Sequence, residues 1–206
     1  ASNNTAVGFD TLKANTTGIN NTVLGSYAGD ANTTGHYNVA LGTLSLSANT
    51  TADGNTAVGY AALTANTTAA YNTAVGYTAL VANTTGASNV ALGSTAGAAI
   101  TTGSRNVAIG HDAGASATTV SDNTAVGYYA LQDNTGASNT AVGSNALLQN
   151  TSGGNNVSVG YSSLGVNTSG SGNVAIGDYS LDANTTANYN TAVGYASLSA
   201  NTTGAD

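Results

Sequence analysis

One unit of seventeen residues recurs along the whole chain, opened each time by an asparagine: Asn4, Asn21, Asn38, Asn55, Asn72, Asn89, Asn106, Asn123, Asn139, Asn156, Asn173 and Asn190. Only the unit that begins at Asn123 is one residue short. A period this short limits what can be built, because two packed helices need more residues than one unit supplies and Gly, Asn and Thr form helices poorly. The unit must therefore be extended and must acquire its core by stacking on its neighbours. Its consensus reads N-[T/V]-A-[V/I/L]-G-Y-x-[A/S]-L-x-A-N-T-T-G-x-x, with Gly in the fifth position of every copy, from Gly8 to Gly194.

The expected fold is all-β: a parallel β-solenoid, or β-roll, with one coil of about seventeen residues per repeat and twelve coils in a single repeat domain spanning 1–206. The segment N-T-A-V-G reads as a short strand, with the second and fourth residues on one face and the alanine opposite. The aliphatic fourth residue is assigned to the interior. The alanine column (Ala6, Ala40, Ala57, Ala74 and onward) is assigned to a smooth outer strip where another chain approaches. A second strand is expected through Y-x-A-L-x-A, anchored by leucine in the ninth position. That leucine is replaced at Gly29, Gly97 and Gly114, where the coil's cross-section should change. The glycine bends and the N-T-T-G turn complete the loop. Stacked at about 4.8 Å, twelve coils give a rod of roughly 55 to 60 Å in which each position becomes a column. The first-position asparagines either form a hydrogen-bonded ladder or simply tolerate the turn.

Charge and composition exclude several classes. Nine acids, all Asp, face only Lys13 and Arg105, a net charge of -7, so the clustered basic groups that bind nucleic acid are missing. No apolar run approaches the roughly twenty residues of a membrane-spanning helix, so no membrane insertion is expected. With no Cys, neither disulfides nor thiolate metal sites can form. Both ends fall close to the repeat phase without a distinct cap, which suggests a segment of a longer fibre or a stackable subunit.

The segments N-V-A-I-G at Asn106–Gly110 and Asn173–Gly177, and N-T-A-V-G elsewhere, resemble the core of trimeric autotransporter adhesin head repeats. The longer phrase N-T-A-V-G-Y-x-A-L-x-A-N-T-T-G is similar to the shaft repeats of phage tail fibres and related bacterial surface proteins. The resemblance spans nearly the whole chain. It implies a left-handed parallel roll, a homotrimer of side-by-side chains, and exposure on a cell or virion surface. This unit is longer than typical adhesin head repeats and lacks the aliphatic residue every six positions of hexapeptide acyltransferases.

Candidate sites are properties of columns. Asn15, Asn32, Asn49, Asn66, Asn83, Asn150, Asn167, Asn184 and Asn201 each open an Asn-x-Ser/Thr sequon in the twelfth position, a candidate ladder of glycosylation sites, although an Asn- and Thr-rich turn yields the same triplet. Tyr60, Tyr77, Tyr128, Tyr161 and Tyr195, with Phe9, follow the fifth-position Gly; they either stack on sugars or a neighbouring chain, or cover the coil edge and pack on the row above. Thr holds the thirteenth position throughout, from Thr16 to Thr202, but the T-x-T pattern of a flat ice-binding face is missing. His111 beside Asp112, and His36 beside Tyr37, read as surface variation, and the aspartates do not recur in phase as calcium rolls require. No catalytic group, metal or cofactor is expected. The function expected is a structural shaft of an extracellular fibre, adhesin or tail fibre that self-associates as a homotrimer or end to end, with a cell-surface glycan or receptor as a further partner. The alternative is a repetitive binding module for glycan or ice.

Overall fold

The computed structural model describes residues 1–204, and each repeat in it makes one coil of a parallel β-solenoid. Twelve three-residue strands form a single sheet in sequence order: β1 Thr5–Val7, β2 Thr22–Leu24, β3 Val39–Leu41, β4 Thr56–Val58, β5 Thr73–Val75, β6 Val90–Leu92, β7 Val107–Ile109, β8 Thr124–Val126, β9 Thr140–Val142, β10 Val157–Val159, β11 Val174–Ile176 and β12 Thr191–Val193. Every pairing is parallel and sets like on like, as in Ala57 opposite Ala74. The short unit keeps this register, with Thr124 opposite Thr140, because its missing residue falls in the threonine turn.

Each strand ends at the fifth-position glycine. Gly59 lies at φ +134°, and its N–H donates to the carbonyl of Leu41 in the coil before, 2.8 Å away. A side chain here would collide with the neighbouring coil, since a Cβ on Gly59 would lie 2.4 Å from the Gly76 oxygen. The column must be glycine for the coils to stack at all.

The expected second strand does not form. The seventh and ninth residues take left-handed φ, as at Ala61 (54°) and Leu63 (52°), so the segment turns where a strand would run straight. Left-handed geometry costs about 1 to 2 kcal/mol for a residue with a side chain. Bonds between coils offset it: Ala61 N–H reaches the Thr43 carbonyl at 3.0 Å, and Leu63 N–H reaches Ala79 at 3.0 Å. The bend wraps the chain around a narrow interior and delivers the ninth-position leucine into it.

The two faces of the first strand are the reverse of the sequence expectation. The third-position alanines lie inside, none of those from Ala40 to Ala192 more than 2% exposed, while the second and fourth residues point outward. The reason is room. Across the interior the third position meets the eighth, shown in one coil by Ser158, whose Oγ donates to the Ser163 carbonyl at 2.8 Å. With a buried leucine also present, only a small residue fits between the walls. Val23 occupies the third position where Gly29 has removed the leucine, and its methyl carbons lie 3.5 and 3.7 Å from where a Gly29 Cβ would be. The coil of Gly97 compensates with Ile100 in the twelfth position, and that of Gly114 with Ala117 and the partly buried Val120. The cross-section is thus refilled within the coil.

Candidate functional site

Two asparagine columns run inside the rod. In the first, the side-chain oxygen accepts from the backbone N–H of the next first-position asparagine, as Asn55 Oδ1 does from Asn72 at 2.9 Å. Its Nδ2 crosses the coil to the turn carbonyl, Asn55 to Ala69 at 2.9 Å. The first-position ladder therefore exists, linked mainly from side chain to backbone. The second column holds the sequon asparagines. Asn66 Nδ2 donates to Asn49 Oδ1 at 3.1 Å and to the Ala69 carbonyl at 3.0 Å, so one inward-turned carbonyl receives both amides.

This places Asn32, Asn49, Asn66, Asn83, Asn150, Asn167 and Asn184 inside, no more than 2% exposed, with the nitrogen that would carry a glycan already donating. Asn15 and Asn201, in the end coils, are partly exposed. Glycan attachment at the seven inner positions would require expelling the amide from its ladder. Composition hid this structural role, yet a signal existed. The twelfth position loses its asparagine only at Ile100 and Ala117, in coils that also lack the ninth-position leucine. The break leaves Asn83 Oδ1 buried without a hydrogen-bond partner.

The outer strand face is a continuous aliphatic strip. All twelve fourth-position residues are Val, Leu or Ile, and exposure reaches 50% at Leu24 and 67% at Val193. The second position is Thr or Val in every coil, so none of the twenty-four residues on this face is charged. A strip about 53 Å long and about 10 Å wide presents about 500 Å², as large as the patches that mark interaction sites.

Beyond the glycine bend, aromatic residues pair between successive coils. Tyr60 and Tyr77 stack at 5.5 Å and 13°, Phe9 meets Tyr27 edge-on at 5.4 Å, and Tyr179 stands edge-on to both Tyr161 (5.3 Å) and Tyr195 (6.1 Å). The rings pack along the axis and remain substantially exposed. Burial is the main cause raising the Tyr179 phenol above its ordinary pKa. Tyr71 and Tyr189, in the seventeenth position, lie over Gly54 and Gly172 of the preceding coil, which have left-handed φ.

The thirteenth-position threonines use their hydroxyls internally: Thr33 Oγ1 donates to the Thr50 carbonyl at 2.9 Å, and the bond recurs along the rod. The fourteenth-position Thr and Ser side chains are exposed in every coil that has one. His111 stacks on Tyr128 at 5.6 Å with Nε2 3.3 Å from Asp112, and His36 Nδ1 accepts from the Ile19 N–H at 3.0 Å. Arg105 and Asp122 form a two-bond ion pair on the surface, which holds the Asp122 carboxyl below the usual range. Compared with known proteins, the chain matches no family model, and neither a curated protein nor a solved structure matches it.

Proposed function

We propose that this chain is a structural rod, the shaft of an extracellular fibre, adhesin or tail fibre, which associates side by side through its outer strand face, as a homotrimer. The observation that carries the reading is the aliphatic strip. Twelve stacked coils linked by axial hydrogen bonds give length and stiffness, but those need no uncharged apolar face. Bringing two such faces together removes about 1,000 Å² from water, the threshold of a specific interface, and the flanking rings enlarge it. No like charges on this face oppose that contact. The proposal moves the association surface from the alanine column, which is interior, to the residues on either side of it.

Sedimentation equilibrium tests the reading. The native chain should associate at micromolar concentration, and Val58→Lys with Ile109→Lys and Val159→Lys should give monomers with an unchanged circular dichroism spectrum. A native chain that stays a folded monomer would refute the association. The exposed fourteenth-position hydroxyls favour a second reading, a repetitive face for glycan or ice. Thermal hysteresis that disappears when three of them, Thr68, Thr85 and Thr102, are changed to Val would establish the ice form of it.

A further inference from the structure

We propose that the rod carries one discrete saccharide site, a cleft across coils nine to eleven that takes a single neutral sugar ring. The cleft has a volume of about 220 Å³ and lies where the repeat is interrupted. The tenth position is glycine only at Gly165, between Leu148 and Asp182 in the adjacent coils, so one missing side chain opens a gap in the column. Gly165 is buried and forms the floor. Its size is below the roughly 300 to 1,000 Å³ of pockets for drug-sized ligands, which suits one small ring.

The lining has the chemistry that recognises such a ring. Tyr179 supplies an aromatic wall, and its edge-on contacts with Tyr161 and Tyr195 fix the plane before anything binds. A sugar's C–H face packs on such a ring, and Leu148 and Val166 extend the apolar side. Asn145 and Gln149 bring amides that both donate and accept, matching hydroxyl groups. Asp182 brings a second, independent indication. Its Oδ1 is shielded from solvent and has no hydrogen-bond partner, an arrangement that is unfavourable until a donor arrives. A ligand hydroxyl is such a donor. The carboxylate, with Asp178 in the same coil, disfavours acidic sugars and phosphates.

The cleft uses the seventh, tenth and eleventh residues of its coils, past the glycine bend from the strand face, so its failure would leave the rod proposal untouched. The test titrates the intact chain with glucose, galactose, mannose and N-acetylglucosamine, each separately, and with glucuronic acid, while following amide chemical shifts. At least one neutral sugar should saturate with a millimolar Kd, shifting residues of coils nine to eleven. Tyr179→Ala should weaken it about tenfold. Asp182→Asn, which keeps the shape and removes the charge, should weaken it less than Asp182→Ala does and should relax discrimination against glucuronic acid. Tyr77→Ala, which removes an exposed stacked ring outside the cleft, should change nothing. No saturable shift with any neutral sugar, or equal losses in Tyr77→Ala and Tyr179→Ala, would overturn the assignment.

Discussion

A methyl carbon placed on Gly110 would lie 2.4 Å from the carbonyl oxygen of Gly127 in the next coil, whereas one on Gly194 meets nothing within 4 Å. Both residues have positive φ, +129° and +124°, so alanine strains the backbone at either. Gly194→Ala should therefore cost only that strain, about 1 to 3 kcal/mol. Gly110→Ala adds a backbone collision and should cost at least about 4 kcal/mol or prevent cooperative melting, which thermal denaturation of the two variants would read directly. The ladder asparagines give a second contrast. Asn72→Asp keeps the acceptor for the Asn89 N–H but replaces the donor to the Gly86 carbonyl with a buried charge. Burial raises such a carboxyl's folded pKa above its unfolded value, so stability is lost as pH rises through the folded pKa. The variant should melt well below the native chain at neutral pH and recover much of the difference near pH 4, in melts recorded across that range.

At the scale of the coil, the repeat length and columns were legible in the sequence, and the direction of each column was not. Alternation within N-T-A-V-G showed that the third residue opposes the second and fourth, but hydrophobicity assigned the larger side chains to the interior. The space left beside the ninth-position leucine reversed that, and only the opposite wall, contributed by the left-handed turn, sets that space. Left-handed leucines are poorly signalled by composition, which is why a strand was expected there. The glycines that replace the ninth-position leucine predict a changed cross-section, but they come with compensating partners: Gly29 with Val23, and Gly97 with Ile100, report an interior filled to constant volume. A Cβ on Gly97 would stand 3.0 Å from Ile100 Cδ1, so Gly97→Leu alone overpacks the coil, and Ile100→Asn alone opens a cavity while supplying a donor to Asn83 Oδ1. Each should destabilise by about 1 to 3 kcal/mol. The double variant restores the consensus pair and should recover at least about 1 kcal/mol relative to the sum, in a double-mutant cycle from denaturant titrations. Its gain is bounded, because the new amide oxygen then faces Ala117 instead of another asparagine.

Across the whole molecule, the ladders that join the coils are built from amides, backbone groups and threonine hydroxyls, none of which titrates. Titratable side chains join coils only singly, as where His36 Nδ1 accepts from the Ile19 N–H and Asp178 Oδ1 from the Tyr161 N–H. Because the repeated ladders carry the coil-to-coil bonding, the melting temperature should stay nearly flat between about pH 5 and pH 9. Asp122, whose carboxyl is held low by Arg105, contributes above its unfolded pKa and loses that contribution only as pH falls through the lowered folded value. Its exposure to solvent makes the loss small. The rest follows from one arrangement, with alanine inside and the aliphatic column outside. The chain has no cysteine, so single thiols report position without background. Ala108→Cys and Ile109→Cys, adjacent on β7, should each be combined with Val58→Lys and Val159→Lys to keep the rod monomeric, treated with a maleimide under native conditions, and the labelling rates compared. Fast labelling of Ile109→Cys with strong protection of Ala108→Cys is expected; protection of Ile109→Cys with fast labelling of Ala108→Cys would put the alanine column outside and overturn the arrangement.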